Sequence, residues 1–380
     1  VKNPFEFGGL VSEQSFCNRK QELADLQTHM KNGTNLFMYG ERRTGKTSLA
    51  KIAFSRLPKR QYLTVYVDLW PTEDEIGFSA VYAKALAEAF NSKLDDMLEW
   101  AKRSVPAVVP TITINDQGQP EFSIGLAGHK AQHATLKAVL DAPHSESMRR
   151  KLDVVVVFDE FQQILLYEND YVVRQLRSSI QEHQNVSYIF LGSRKHLIQA
   201  MLQDKKQPLY GSGAHYLLGP IATSHWIPFV KEKFAQTGKT ISEDVIADIC
   251  QQTGGHPFYT QHLCNLVWEL VPDGDTAALT TPTAAVQLLL ERQRYVYETL
   301  WESTTQKQKQ LLEGIAFEPD AQIFSLEFIN ENGLGRASTA QAALKKLLQR
   351  DLVDRESGSY FITDRFFRLW IRRIAGGARR

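Results

Sequence analysis

The stretch Gly40-Glu41-Arg42-Arg43-Thr44-Gly45-Lys46-Thr47 constrains the fold of this chain more than any other. It fits the spacing G-x-x-x-x-G-K-[ST], a phosphate-binding loop that works only between a strand and a helix. Both neighbours are predicted. Asn35 to Tyr39 is a short apolar run of strand type, and from Ser48 to Leu57 the residues Leu49, Ile52, Ala53 and Leu57 recur at helical spacing. In that setting the backbone N–H groups of Glu41, Arg42, Arg43, Thr44 and Ser48, with the helix N-terminus, form an anion site. Gly40 and Gly45 let the backbone approach phosphates without a Cβ in the way. Lys46 is then placed to reach the β- and γ-phosphates of ATP, and the Thr47 hydroxyl to hold Mg2+.

A second motif stands where the first requires one. Leu152 to Phe158 is a continuous apolar run, the pattern of a strand buried on both faces, and it ends in Asp159-Glu160. Asp159 is expected to bind Mg2+ through its water shell, and Glu160 to orient and polarise an attacking water. A further strand, Val186 to Gly192, ends in Ser193-Arg194. Ser193 is a candidate contact for the γ-phosphate or the water, and Arg194 a candidate reader of the γ-phosphate charge. Asp68, at the end of the strand Leu63 to Leu69, either lies near the phosphates or caps the next turn.

The strands predicted at 35–39, 63–69, 152–158, 186–192 and 214–220 are separated by helical stretches. That alternation implies a mostly parallel sheet with right-handed crossovers, whose ligands gather at the C-terminal edge. Between 106 and 128 the pattern changes. Thr111 to Ile114 and Glu121 to Ile124 alternate around the turn Asn115 to Pro120, which reads as a hairpin. It is either a surface decoration or a contact for a partner. From Ser224 onward strands give way to helices at about 224–236, 242–252, 257–271 and 282–300, interrupted at Gly254-Gly255-His256-Pro257-Phe258. Pro257 suits the first position of a helix. Helices at 308–317, 325–333 and 337–350, then a hairpin over 352–363, describe a winged helix.

The predicted fold is therefore α/β: a P-loop NTPase with a parallel sheet and flanking helices, followed by a helical lid and a winged-helix domain. The boundaries fall at residues 1–221, with the hairpin insert at about 106–128, then 222–300 and 301–380. Leader residues Val11 to Arg19 either line the base or ribose side of the nucleotide or only start a helix. A net charge of +1 gives no global pull toward nucleic acid or membrane, so any DNA contact has to come from a local basic face. Cys17, Cys250 and Cys264 are odd in number, scattered and without metal spacing, which suits a reducing cytoplasm. No signal peptide is legible and no apolar run reaches membrane-spanning length.

Taken in order, Phe16-Cys17-Asn18-Arg19, GERRTGKTS, VVFDE, GSR, GGHPF and the winged helix resemble the archaeal-type ATPases of the STAND class, switches related to AAA+ and origin-recognition ATPases. The resemblance implies that Arg19 sits near the nucleotide, Ser193 acts as the first sensor, Arg194 is the class arginine and Pro257 packs by the adenine from the lid. It departs after Pro208-Leu209-Tyr210-Gly211, where Ser212 stands in place of the arginine often found in related chains. Nucleotide-dependent self-association is also implied by the resemblance.

The leading functional expectation is a slow, regulated, Mg-dependent ATP switch that alternates between ATP and ADP and relays its state through the lid to the winged helix, with a protein partner. The alternatives are a DNA-binding ATPase of replication, transposition or repair, and a nucleotide-locked interaction protein. In the DNA-binding reading the helix from Ala337 to Arg350, with Lys345 and Lys346, enters a groove of double-stranded DNA.

Overall fold

The strand β5, Asp153–Asp159, lies inside the sheet, and its run of valines explains why. Val154 to Phe158 are all wholly buried, with no polar side chain to satisfy on either face. In the computed structural model the described residues are 1–9, 16–105, 108–114, 120–126, 132–318, 321–356 and 358–376. Leader residues Val11 to Ser15, Pro106, the hairpin turn Asn115 to Gln119, Ala131, Ser357, Arg379 and Arg380 lie outside them.

The chain divides into two units. The first to be described, the sheet unit, comprises Arg19–Arg42 and Lys46–Leu218. It holds β1 (Leu36–Tyr39), β2 (Tyr62–Asp68), β5, β6 (Val186–Gly192) and β7 (Ala214–Leu217) in the order β2-β5-β6-β1-β7, every pairing parallel. The register sets the site. Asp68 pairs with Asp159 and Tyr39 with Gly192, so four strand ends fall at one edge. α1 (Lys20–Lys31), α2 (Lys46–Ser55), α3 (Glu75–Phe90), α4 (Leu94–Ser104), α5 (Gln132–Arg150), α6 (Tyr171–Glu182) and α7 (Lys195–Gln203) belong to the same unit. The hairpin β3 (Val108–Ile114) and β4 (Pro120–Leu126) forms its own antiparallel sheet, tied in by Phe122, 2% exposed, and by a Lys84–Glu121 ion pair of 2.6 Å.

The sequence over about 72–104 and over 161–183 reads as two continuous helices, and both are broken. The region 72–104 divides at Asn91, where the backbone turns extended, into α3 and α4. After Glu160 the chain forms a 3-10 helix, Phe161–Leu166, which ends where Tyr167 turns extended, and α6 starts only at Tyr171, whose N–H is accepted by Asn169 Oδ1 at 3.0 Å.

The other unit comprises Val1–Asn18, Arg43–Gly45 and Gly219–Arg380. α8 (Thr223–Ala235), α9 (Glu243–Thr253), α10 (Pro257–Leu270), α11 (Thr281–Arg292) and α12 (Arg294–Glu302) lead into α13 (Gln306–Phe317), α14 (Leu326–Glu331), α15 (Ala337–Gln349), the hairpin β8 (Val353–Glu356) and β9 (Ser359–Ile362), and α16 (Arg365–Gly376). The predicted helix over 282–300 is split at Gln293 into α11 and α12. Helix α9 ends on Gly254 at φ 60°, and Gly255 follows at φ 64°, where a Cβ would lie 2.2 Å from the Ile221 carbonyl oxygen. Pro257 then takes the first turn of α10, so Gly254, Gly255 and Pro257 each have a backbone reason. One hydrophobic core runs from Phe5 through the α8–α11 helices to Phe367 and Ile371 of α16. The leader is held by a reciprocal pair: Asn3 Nδ2 donates to the Asn265 carbonyl at 3.0 Å and Asn265 Nδ2 to that of Phe5 at 3.1 Å. Among the described residues, no helix is long and apolar enough to cross a membrane.

Candidate active site

The edge of the sheet where β1, β5 and β6 end gathers the residues that the sequence marks as chemical. Thr47 Oγ1 donates to Asp159 Oδ2 at 2.5 Å, although 112 positions separate them. Tyr66 on β2 donates its hydroxyl to the same oxygen at 2.6 Å, and the other carboxylate oxygen accepts the Glu160 N–H at 2.9 Å. Asp159 is 4% exposed, so these donors hold its charge where water has little access. Burial, and then the Asp159 charge, push the Tyr66 phenol far above its ordinary value, which keeps it a proton donor throughout.

Glu160 sits in the left-handed backbone region, φ 52° and ψ 42°, at the start of the 3-10 helix. A non-glycine residue there is uncommon and is held by its surroundings. Its Oε2 accepts from Ser193 Oγ at 2.7 Å and from Gln162 Nε2. Gln162 is 1% exposed, and its Oε1 accepts the Ser193 N–H at 3.1 Å.

Lys46 lies at the opening of α2, 5% exposed. Its ammonium donates to the carbonyls of Gly40 at 3.1 Å and Glu41 at 2.7 Å. Burial pulls it down to about 8, against the upward pull of Glu160, Asp159 and Glu41. Lys195, 2% exposed, stands 3.7 Å from the Glu41 carboxylate. Arg42 lies over the exposed Trp70 ring at 5.3 Å. Ser48 is buried in the first turn of α2, and Thr44 is 3% exposed.

Each of the other expected residues has its own surroundings. Arg194 is half-buried in the position before α7, with extended backbone. Arg19 is 4% exposed, in the left-handed region at φ 69°, and pairs with Glu22 at 2.7 Å. Asp68 takes the turn-capping option, its Oδ1 accepting the Trp70 N–H at 3.0 Å. Arg43, Thr44 and Gly45 cluster with the helical unit, in which Arg43 lies 4.3 Å from the Phe258 ring. Pro257 belongs to that unit too.

Sequence reasoning misses Tyr66, Gln162 and Lys195. Tyr66 is one strand away from its partner and looks like any β-strand aromatic. Gln162 has a signal, standing two residues after Glu160, but helical periodicity alone gives it no role. Lys195 follows the Ser193-Arg194 pair directly.

Residues 16–263 match the family model described as an ATPase domain predominantly from Archaea. The chain belongs to that ATPase family. Residues 295–373 match a second model, described as "Probable winged helix domain". The chain is thus a P-loop ATPase with a C-terminal winged helix. Solved structures agree on the fold. A Walker-type ATPase of Pyrococcus abyssi is similar at TM-score 0.66 and 17% identity, over 97% of this chain and 99% of that one. The ORC2 protein of Aeropyrum pernix, in ADPNP–ADP complexes, is similar at 0.53 and 13%, over 100% and 98%. The ORC1 protein of the same organism, in complex with DNA, is similar at 0.50 and 14%, over 96% and 94%. A comparison with curated proteins finds no match.

Proposed function

We propose that this ATPase is a nucleotide switch of the STAND/AAA+ type, with Mg-ATP held at the C-terminal edge of the sheet. The observation that carries the proposal is the meeting of Thr47 with Asp159 and of Glu160 with Ser193 at one sheet edge. A hydroxyl beside a carboxylate is an oxygen donor set that suits a hard cation keeping several waters and phosphate oxygens. When bound, Mg2+ would neutralise charge on the β- and γ-phosphates. Lys46, Ser48 and the N–H groups of residues 40–45 hold the phosphates, with Lys46 turning from the loop carbonyls to the β/γ oxygens. Glu160 orients a water and takes its proton as the water oxygen bonds to the γ-phosphorus and the bond to ADP breaks. Ser193 senses the γ-phosphate and Arg194 offsets its charge. Arg19 and Pro257 flank the base side, and Pro257 relays occupancy through the lid to the winged helix and a protein partner. Cys17, Cys250 and Cys264 are each buried and none is in a disulfide among the described residues, in keeping with a reducing compartment.

The test is a pair of variants. Glu160→Gln should keep ATP bound and lower turnover by about 100-fold or more, the range of a lost general base. A Lys46→Ala variant should lose binding itself. Wild-type turnover by Glu160→Gln removes Glu160 from the role of water-orienting base.

A second reading, duplex DNA binding by the winged helix, rests on α15. That helix carries no acid, and Arg336, Ser338, Gln341, Lys345 and Lys346 are exposed along it. The fold-level likeness to the ORC1 protein solved with DNA supports it. Affinity for a duplex should then fall steeply with salt, and Lys345→Ala with Lys346→Ala should reduce that slope by about two. A salt-independent curve removes this reading.

A further inference from the structure

We infer that Gln162 is a positioning residue for ATP hydrolysis: with Ser193 it pins one oxygen of the Glu160 carboxylate and leaves the other to the water. The inference rests on the role proposed above for Glu160 and adds the residue that aims it.

The hydrogen bonds around Gln162 have only one consistent direction. The Ser193 N–H is a donor and nothing else, so the Gln162 side-chain atom facing it at 3.1 Å must be the carbonyl oxygen. That fixes the amide the other way round at its far end, and Nε2 has two protons to give. One goes to Glu160 Oε2 and the other to Ser193 Oγ at 3.2 Å. Ser193 Oγ, having accepted, donates its own proton to Glu160 Oε2 at 2.7 Å. The three side chains close a ring in which the amide and the hydroxyl spend every proton and Oε2 accepts twice. Among the described residues Glu160 Oε1 accepts no hydrogen bond. A carboxylate gripped on one oxygen cannot rotate freely, and its second oxygen is the one that can accept the proton of an attacking water.

The seat of Gln162 is built for it. The residue is 1% exposed and Ser193 is 3% exposed, so neither exchanges its partners readily for water. Gly192 leaves room for the amide: a Cβ there would come 3.3 Å from Gln162 Oε1 and 2.7 Å from Ile198 Cγ1. Glu160 itself is in the left-handed region, a backbone conformation that has to be held in place. The grip therefore has both a backbone part, at Glu160 and Ser193, and a side-chain part, at Gln162.

Two variants of Gln162 separate positioning from packing. Gln162→Glu keeps the volume and can keep the acceptor for the Ser193 N–H, but it turns a donor into a carboxylate facing Glu160. Gln162→Met keeps the approximate volume and loses both bonds without adding charge. If Gln162 acts by positioning Glu160, kcat at pH 8 falls about 10- to 100-fold in Gln162→Met, the scale of a lost charge-assisted hydrogen bond, and further in Gln162→Glu. In both, the affinity for ATP stays within about twofold, since neither contacts the phosphate loop. A packing role predicts the opposite order, with Gln162→Met the worse variant. That order, or a wild-type kcat in both, overturns the inference. In a Glu160→Gln background, measured by single turnover, Gln162→Met should add no further loss. A loss of equal factor in both backgrounds shows that Gln162 acts elsewhere, and overturns the inference. If Glu160→Gln alone turns over at the wild-type rate, the reading beneath has failed and the inference falls with it. That outcome is read from the single variant and is distinct from the failures above.

Discussion

At Lys46 burial lowers the ammonium to about 8 from its ordinary 10.5, although Glu160, Asp159 and Glu41 work in the other direction. Two consequences follow at the scale of this one residue. Because the folded value lies below the unfolded one, the unfolded chain holds more protons between about 8 and 10.5. The stability contributed by this group therefore rises with pH across that window and is constant below it. Nucleotide binding runs oppositely, since phosphates favour the charged ammonium. Above about pH 8 binding should take up a proton, and the dissociation constant for ATP should weaken toward about tenfold per pH unit. Titration calorimetry at pH 9 in buffers of different ionisation heat reads the proton directly, and an affinity flat from pH 7 to 9.5 contradicts it. Residue by residue, Lys46, Thr47, Asp159 and Glu160 are legible because each lies in a motif with a fixed spacing. Tyr66 and Gln162 are not, because a hydrogen bond across 93 positions, or a ring closed through Ser193, leaves no local pattern.

Among the elements, the breaks are the least readable, and even the start of α13 falls two residues before the expected 308. α13 has a full capping box: Thr305 Oγ1 accepts the Gln308 N–H, and the Gln308 side chain accepts the Thr305 N–H at 2.9 Å. Thr305→Ala should cost about 1 kcal/mol and lower the melting temperature by about 3 °C, read by calorimetry. An unchanged melting temperature means that α13 is held by packing alone. The strand β5 is plain, since a run of only seven residues with four consecutive valines is too short and too β-branched for a buried helix. The helix over 72–104 reads as one piece because Asn91 to Lys93 carry no proline or glycine. Its division depends on where α3 meets α5 and where α4 meets β3, contacts that periodicity does not contain.

On the scale of the molecule, the helical unit has one core. Phe366 and Phe367 of α16 are 2% and 0% exposed; Tyr259 of α10 lies 5.0 Å from the Phe366 ring and Tyr297 of α12 lies 5.4 Å from that of Phe367. Tyr259 also donates its hydroxyl to the Thr363 carbonyl at 3.1 Å. Phe367→Ala should cost about 3–5 kcal/mol. Hydrogen exchange should then quicken in Pro257–Leu270 as well as in Arg365–Gly376, because the two segments share that core. Quickening confined to residues beyond 301 would mean two bodies that unfold separately. The sequence by itself determined the sheet class, the phosphate loop, the acid pair and the winged helix, because strand and helix periods and the motif spacings are local properties. Only the tertiary structure decided which oxygen of Glu160 is held, which tyrosine supports Asp159 and how far one core extends, because those depend on strand register and on packing between segments far apart in the chain.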